Sequence, residues 1–181
     1  TIITLGDPAY PSPLLDIPDP PAVLFAAGNV ELLKRPALAV VGSRSPTPQG
    51  IDNARAFAKA LGNANYTIVS GLALGIDAAA HEGALNSASS TIAVLGCGIN
   101  IVYPKTNRAL FERIIAEGLI LSEHGLDVPA LPGHFPMRNR IISGLARGCL
   151  VIEASLSSGS LITARVAVDQ GRDVFAVPGS I

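Results

Sequence analysis

Apolar runs of strand length alternate with stretches of helical spacing over most of the chain. Because uninterrupted apolar strands that alternate with helices are typical of a parallel sheet covered on both faces, the pattern predicts an α/β class. We expect a doubly wound, mostly parallel sheet in an extended Rossmann-like fold. The predicted strands are 37–41, 66–69, 91–95, 119–121, 150–153 and 173–177, and the predicted helices are 48–62, 75–86, 106–117, 136–147 and 160–170.

The first 36 residues have a different character. Prolines recur through them, so a long helix is excluded there. One apolar piece at 23–26 is predicted to add a strand at a sheet edge. We therefore divide the chain into a Pro-rich lead-in at 1–36 and a Rossmann-like domain at 37–181. The sequence stops at 178–181, just after a strand, and we expect the protein to continue beyond it.

Composition and net charge exclude several classes of protein and of binding partner. Hydrophobic residues make up 49% of the chain and charged residues 15%, which excludes a disordered protein. The net charge of −1 excludes a globally basic nucleic-acid binder, so a polyanion would have to meet a local patch. Cys97 and Cys149 have apolar neighbours and no disulfide or zinc spacing, so we expect them reduced and buried, which suits a cytoplasmic protein. The apolar runs are far too short to span a membrane, and no membrane partner is expected.

Small and polar residues follow nearly every predicted strand. Ligands of open α/β sheets bind beyond the carboxyl ends of the strands, where glycine admits close approach and helix N–H groups favour an anion. Any one such turn needs these residues for its own geometry, but the whole set favours a phosphate-containing ligand. The candidates are Gly42, Ser43 and Arg44 after the first regular strand, Ser70 and Gly71 after the second, and Ser158, Gly159 and Ser160 after the fifth.

The segment at 135–147 adds an aromatic ring and three closely spaced polar residues. Phe135 precedes the predicted helix and can offer a ring for base stacking. Arg138 falls in the first turn, where the helix dipole disfavours a cation, so an anion nearby would explain it. Asn139 and Arg140 follow. The competing interpretation makes Phe135 a hydrophobic staple and places the arginines in salt bridges. We favour a pocket for a nucleotide or a few nucleotides of a single strand, since no helix offers a base-reading face for a duplex.

Other chemistries find little support. The run at 96–101 has isoleucine where a dinucleotide fingerprint needs its third glycine, and no Walker A or nucleophile-elbow pattern occurs. The three histidines lack metal-ligand spacing, and His81, in an Ala-rich helix, is predicted to be a packed or capping residue. We therefore expect no catalytic residue, no metal and no cofactor.

These residues resemble the DNA-processing protein A family, also called DprA or Smf, over most of residues 4–181. Many motifs recur in one order, so the resemblance is specific. They are Val41–Arg44, Ser70–Ala73 with 75–77 and His81, Val94–Gly98 with Tyr103–Pro104, Ser122–Glu123, Phe135–Leu145, Glu153–Ala154 with Ser158–Ser160 and Thr163–Ala164, and Val177–Ser180.

The resemblance implies a cytoplasmic bacterial protein, not established as an enzyme, that binds incoming single-stranded DNA during natural transformation. It implies protection of that strand, loading of the recombinase RecA, and a homodimer. Carried over to the matching positions of this chain, the family's binding residues imply that Arg44 holds a backbone phosphate and that Phe135 stacks on a base. They also imply that Ser70, Gly71 and the turn at 158–160 donate hydrogen bonds to phosphates. Arg138, Asn139 and Arg140 are then expected to line the pocket or fix its walls.

Two alternatives stay open at this point. Nucleoside-monophosphate phosphoribohydrolases of the LOG type have a similar glycine-rich edge, and Glu153 and Glu123 stand at strand ends where a catalytic carboxylate could act. Their Pro-Gly-Gly-x-Gly-Thr-x-x-Glu segment is absent from this chain. The other alternative is an interaction scaffold for a recombinase, in which DNA contact is incidental.

Overall fold

The computed structural model describes residues 1–156 and 158–179, which build one eight-stranded sheet. Ser157, Ser180 and Ile181 lie outside the described residues. Part of the polar segments predicted to follow two strands, at 157–160 and 178–180, therefore lies outside them as well. Three short 3-10 helices cover Ser12–Asp16, Val30–Lys34 and Lys105–Asn107. The strands are β1 (Ile2–Thr4), β2 (Val23–Gly28), β3 (Ala37–Val41), β4 (Thr67–Ser70), β5 (Thr91–Leu95), β6 (Leu119–Ser122), β7 (Gly148–Val151) and β8 (Asp173–Ala176). The helices are α1 (Pro48–Asn63), α2 (Ile76–Leu85), α3 (Arg108–Glu117), α4 (His134–Leu145) and α5 (Ser160–Asp169).

The strand order is β1-β2-β6-β5-β4-β3-β7-β8, and every pairing from β6 to β8 is parallel. The chain runs outward from β3 to β6 and then returns to the other side of β3 to form β7 and β8. This reversal confirms the predicted doubly wound α/β fold. It also places the topological switch point, where ligands of such sheets bind, at the carboxyl ends of β3 and β7.

Helices cover both faces of the sheet because successive side chains of a strand point to opposite faces. In β3, Ala39 and Val41 pack in the core beneath α4 and α5, whereas Val40 packs on the other face with α1 and α2. All five residues of β5 are buried, which explains why the central strands read as continuous apolar runs.

The lead-in contributes two strands to the same sheet. The predicted strand at 23–26 is present as β2, but the prediction that it forms an edge is wrong. It pairs antiparallel with β6 on one side and with β1 on the other. Leu14, Ile17 and Leu24 are buried in the core that also holds α4. The N-terminal segment therefore packs against the same core as the later strands.

Helix α4 begins at His134, two residues before its predicted start, so that Phe135 lies in the first helical turn. Pro136 still falls within that turn, where its missing N–H costs no helical hydrogen bond. Across residues 1–156 and 158–179, none of the helices combines the length and apolar character that a membrane span requires.

Candidate functional site

A cleft of about 600 Å³ opens at the topological switch point. The end of β3, the first two turns of α4 and the start of α5 form its walls, and Tyr103 closes one side. Nine of the predicted site residues line it, and the other three, Ser70, Gly71 and Arg140, do not. The nine are Gly42, Ser43, Arg44, Phe135, Arg138, Asn139, Ser158, Gly159 and Ser160.

Arg44 and Phe135 meet at this cleft from different parts of the chain. The guanidinium carbon of Arg44 lies 5.9 Å from the centroid of the Phe135 ring, within cation–π range. Arg44 is exposed, and within the described chain it has neither a hydrogen bond nor an ion pair. The ring of Tyr103, itself 48% exposed, lies 5.3 Å from that of Phe135 at an interplanar angle of 34°. The cleft thus presents an uncompensated cation beside two aromatic rings.

The turn before α5 also lines the cleft. Gly159 is the N-cap of α5, and the hydroxyl oxygens of Ser158 and Ser160 lie 2.6 Å apart. A Cβ atom added to Gly159 would meet nothing within 4 Å, so the turn borders open space. The N-terminal end of a ten-residue helix carries a partial positive charge, which favours an anion at this end of the cleft.

Arg138 differs from Arg44 in its surroundings. It is only 6% exposed, and its guanidinium donates to the carbonyl oxygens of Gly71 and Val94. Burial lowers the pKa of Arg138 to about 10, while the negative charge of Asp77 opposes that shift. Burial in turn raises the pKa of Asp77, and Arg138 opposes it. The anion expected near Arg138 is therefore a carboxylate of the protein itself, and Arg138 fixes the cleft wall.

The prediction that Ser70 and Gly71 donate to phosphate is wrong. The hydroxyl of Ser70 is buried and donates to the carbonyl of Val40 at 2.7 Å, and the N–H of Gly71 donates to Asp77 Oδ2 at 3.1 Å. A Cβ atom at Gly71 would lie 2.5 Å from the Arg138 guanidinium. The small residues after β4 therefore make room for a buried arginine and donate within the protein.

His81 completes the closed network behind this turn, as predicted for a packed histidine. Its Nε2 accepts from the N–H of Leu72 at 3.3 Å, so Nδ1 carries the proton and donates to Thr91 Oγ1 at 2.7 Å. Thr91 donates in turn to the carbonyl of Ile68. Burial, helped by the charge of Arg138, lowers the pKa of His81 from 6.5 to about 3.

Arg140 does not line the cleft, so of the two roles predicted for it, lining the pocket or fixing its walls, only the second stays a prediction. Its guanidinium forms a two-pronged ion pair with Glu123, with N–O distances of 2.6 and 2.9 Å, and its Nε donates to Asp19. The side chain is only 15% exposed. Arg140 thus ties the lead-in and the end of β6 to α4, which is the salt-bridge alternative for this residue.

Glycine has a different role here from the predicted close approach of a ligand. A Cβ atom at Gly42 would lie 2.6 Å from the side chain of Ile76 and 2.8 Å from the carbonyl oxygen of Glu153. At Gly96 it would lie 2.9 Å from the Phe135 ring. These glycines accommodate neighbouring protein groups, and the space at Gly96 seats the aromatic ring that borders the cleft.

The two carboxylates named for an enzymatic alternative are both engaged. Glu153 accepts from the hydroxyl and the N–H of Thr47, the N-cap of α1, at 2.7 and 3.1 Å. Glu123 pairs with Arg140 as described. No cluster of three or more His, Cys, Asp and Glu side chains is placed to hold a metal ion within the described ranges. Cys97 and Cys149 are buried and form no disulfide.

The sequence profile of the DNA recombination-mediator protein A family matches residues 1–181. The chain belongs to this family. DNA processing protein DprA of Streptococcus pneumoniae (strain ATCC BAA-255 / R6) is 51% identical over 175 residues, which are 97% of this chain and 62% of that protein. Protein Smf of Escherichia coli K12 is 49% identical over 95% of this chain and 46% of its own length. The chain thus spans only about half to three fifths of these DprA-family relatives.

Solved structures agree with the family assignment. The crystal structure of DNA processing protein A from Streptococcus pneumoniae superimposes with a TM-score of 0.95 at 49% identity, covering 100% of this chain and 64% of that one. DNA processing protein A from Helicobacter pylori, described for its single-stranded DNA binding mode, gives a TM-score of 0.90 at 34% identity, covering 100% and 82%. A molybdenum cofactor binding protein from Rippkaea orientalis shares the fold alone, at 17% identity, a TM-score of 0.59 and coverage of 81% and 78%.

Tyr103 and Asp77 are among the cleft residues that the sequence did not predict as part of the site. Tyr103 follows a loop after β5, and nothing in its spacing connects it with Phe135 in α4. Asp77 lines the cleft from the first turn of α2. An acidic residue at that position is equally typical of a helix N-terminus, so its sequence context gives no separate signal.

Proposed function

We propose that the cleft binds an unpaired DNA strand, with Arg44 on a backbone phosphate and Phe135 stacked on a base. One observation carries this proposal, namely the exposed Arg44 guanidinium held beside the Phe135 ring without a carboxylate partner in the described chain. Arginine is suited to both contacts, because its planar fork binds phosphate and its face stacks on rings. Tyr103 extends the aromatic surface on the same side.

The start of α5 supports the same assignment. A phosphate at the turn of Ser158, Gly159 and Ser160 would gain the helix dipole and the two hydroxyl groups. The overall charge of −1 makes a local basic and aromatic site more suitable for one strand than for a long duplex track. The relative from Helicobacter pylori is described as binding single-stranded DNA, and its backbone matches this one throughout.

For the whole protein we propose the role that this family relationship suggests. It binds incoming single-stranded DNA in the bacterial cytoplasm during natural transformation, protects it and loads RecA onto it as a homodimer, without catalysis of its own. The engagement of Glu153 and Glu123 with Thr47 and Arg140 supports the absence of a free catalytic carboxylate at the two strand ends named above.

Binding of a fluorescent dT oligonucleotide, followed by anisotropy, tests the site. We expect Arg44→Ala to weaken binding by roughly tenfold or more, since a hydrogen bond to a charged group contributes about 1.5–3 kcal/mol. Phe135→Leu should weaken it by a similar factor, because base stacking contributes roughly 1–3 kcal/mol. Arg108→Ala is the matched control, as Arg108 is exposed on α3 and does not line the cleft. Equal affinities for Arg44→Ala and Arg108→Ala would refute the proposed site.

The partner proposals need separate measurements. Nuclease digestion of bound oligonucleotide tests protection, and RecA filament assembly on that complex tests loading. Retention of RecA without DNA, with no effect of Arg44→Ala, would favour the scaffold alternative instead. Sedimentation at increasing protein concentration tests the homodimer, and a single monomeric species throughout would contradict it.

A further inference from the structure

Asn139 presents an unpaired carboxamide to the cleft. The residue is 8% exposed and lines the cleft, yet its side chain forms no hydrogen bond with any described residue. Among the described residues, the enclosed side-chain atoms that lack a partner do not include those of this carboxamide, so water reaches it through the cleft. The donor and the acceptor of this amide are therefore available to a group that enters the cleft.

Helical spacing relates Asn139 to the stacking ring. Phe135 and Asn139 are four residues apart in α4, so they lie on one face of the helix, and both line the cleft. Ile142, one turn further, continues this face and is also part of the lining. A flat base is larger than the Phe135 ring, so a base stacked on that ring would bring its edge to neighbouring groups of the cleft, and Asn139 is one of them.

We propose that Asn139 hydrogen-bonds the Watson–Crick edge of the base that stacks on Phe135, and so restricts the cleft to unpaired bases. This inference rests on the proposed function. A carboxamide carries one acceptor beside one donor group, and the Watson–Crick edge of every base has an adjacent donor and acceptor. In a duplex that edge is occupied by the complementary base. Stacking combined with contacts to this edge is a general way of reading splayed bases.

The same contact is compatible with any sequence. Rotation of the carboxamide by half a turn exchanges its donor and acceptor, so it can match either order along the base edge. Arg44 and the start of α5 would add phosphate contacts, which carry no sequence information. The cleft would then distinguish single strands from duplexes without preferring a particular base.

A methyl group on the Watson–Crick edge tests the contact. The anisotropy assay is repeated with an oligonucleotide of N3-methylthymidine, beside unmodified dT and dU, in the wild type and in Asn139→Ala. We expect N3 methylation to weaken wild-type binding at least fivefold and to have less than a twofold effect on Asn139→Ala. The change from dT to dU, which removes a methyl group from another edge, should have little effect on either protein.

Asn139→Leu is a second variant of nearly the same size that lacks both the donor and the acceptor. It should also lose the sensitivity to N3 methylation, and circular dichroism checks that both variants are folded. If N3 methylation changes wild-type affinity less than twofold, or weakens the wild type and both variants equally, the contact is overturned while strand binding stands. If unmodified dT does not bind the wild type at all, the proposed function fails as well.

Discussion

The turns after β3 and β4 end two neighbouring parallel strands, and both are rich in glycine and serine, yet they differ in where their polar groups point. After β4, the N–H groups of Gly71 and Leu72 donate to Asp77 and His81 inside the protein. After β3, Arg44 lines the cleft, and its guanidinium lies over the Phe135 ring without a hydrogen bond or an ion pair to any described residue. Similar turn composition therefore serves a closed network in one place and an open binding edge in the other.

The difference follows from what the next elements bring. Helix α2 supplies Asp77 and His81, which accept hydrogen bonds from the backbone of the turn after β4. Helix α4 supplies Arg138, whose positive charge is opposed by that of Asp77. The turn after β3 is fixed differently, since the N–H of Ser43 donates to the carbonyl of Glu153, and the Arg44 side chain has no hydrogen bond or ion pair with a described residue. A cation without a protein partner at a strand end is thus a better guide to ligand binding than the glycines around it.

The largest expected effect is on stability and comes from Arg138, which belongs to the closed network behind the turn after β4. Arg138→Met should lower the free energy of unfolding by about 3–5 kcal/mol, because it deprives the buried Asp77 of a nearby positive charge and removes the guanidinium that donates to the carbonyls of Gly71 and Val94. Urea denaturation followed by circular dichroism measures it. Arg108→Met, at an exposed arginine, should change stability by less than about 0.5 kcal/mol. Equal urea midpoints for the two variants would contradict the buried role of Arg138.

Gly71 and Gly159 differ in the same way in how closely their surroundings are packed. Gly71→Ala should destabilise the protein by about 1–3 kcal/mol, because the new Cβ would lie 2.5 Å from a guanidinium that is itself enclosed. Gly159→Ala, at the open edge, meets no atom within 4 Å and should leave the urea midpoint nearly unchanged. A Gly71→Ala protein as stable as Gly159→Ala would show that the turn after β4 can relax.

Acid should weaken the closed network through His81. Its pKa is 6.5 in the unfolded chain and about 3 in the folded one, so between these values the unfolded state binds a proton that the folded state does not. Stability therefore falls as the pH falls through this window, by up to about 1.4 kcal/mol per pH unit. His81→Gln, which cannot take up that proton, should show a shallower dependence between pH 5.5 and 4. Parallel curves for the two proteins would rule out this source of acid sensitivity.

The smallest expected effect on stability comes from Arg44, in the turn after β3 that borders the cleft. Arg44→Ala should unfold within about 0.5 kcal/mol of the wild type, since its exposed side chain forms no ion pair with any described residue. Its DNA affinity should nevertheless fall, with Arg44→Lys intermediate because lysine keeps the charge and loses the planar fork. Anisotropy and urea denaturation on the same preparations separate the two properties. A marked loss of stability in Arg44→Ala would show that Arg44 is structural.

Most of the parallel sheet could be predicted because its strands are buried on both faces. Such strands appear as continuous apolar runs, as β3 to β7 do in the sequence. Strand β8 was also predicted from an apolar run, although all four of its residues are exposed. The position of β2 could not be predicted, because a short apolar segment does not reveal which strand it will pair with. Strand β1 was missed altogether, since three residues carry too little pattern and their place depends on the free edge of β2.

The candidate site could be predicted in part for a similar reason. Arg44, Phe135 and the turn at 158–160 were placed together because strand ends and helix starts meet at a switch point. Arg138 and Arg140 belong to the same short motif, and their spacing alone does not show that one turns inward toward Asp77 and the other toward Glu123. The fate of a polar group depends on distant partners, which local spacing does not encode.

The antiparallel pairing of β2 with β6 has a consequence for how the protein is made. Ala26 pairs with Leu121, so the first strands leave the ribosome about 95 residues ahead of the strand that will hold them. Pairings between such distant segments form slowly, because a long loop must close before any contact is gained. The beginning of this chain is therefore expected to join the sheet late, after the central βα units have already assembled.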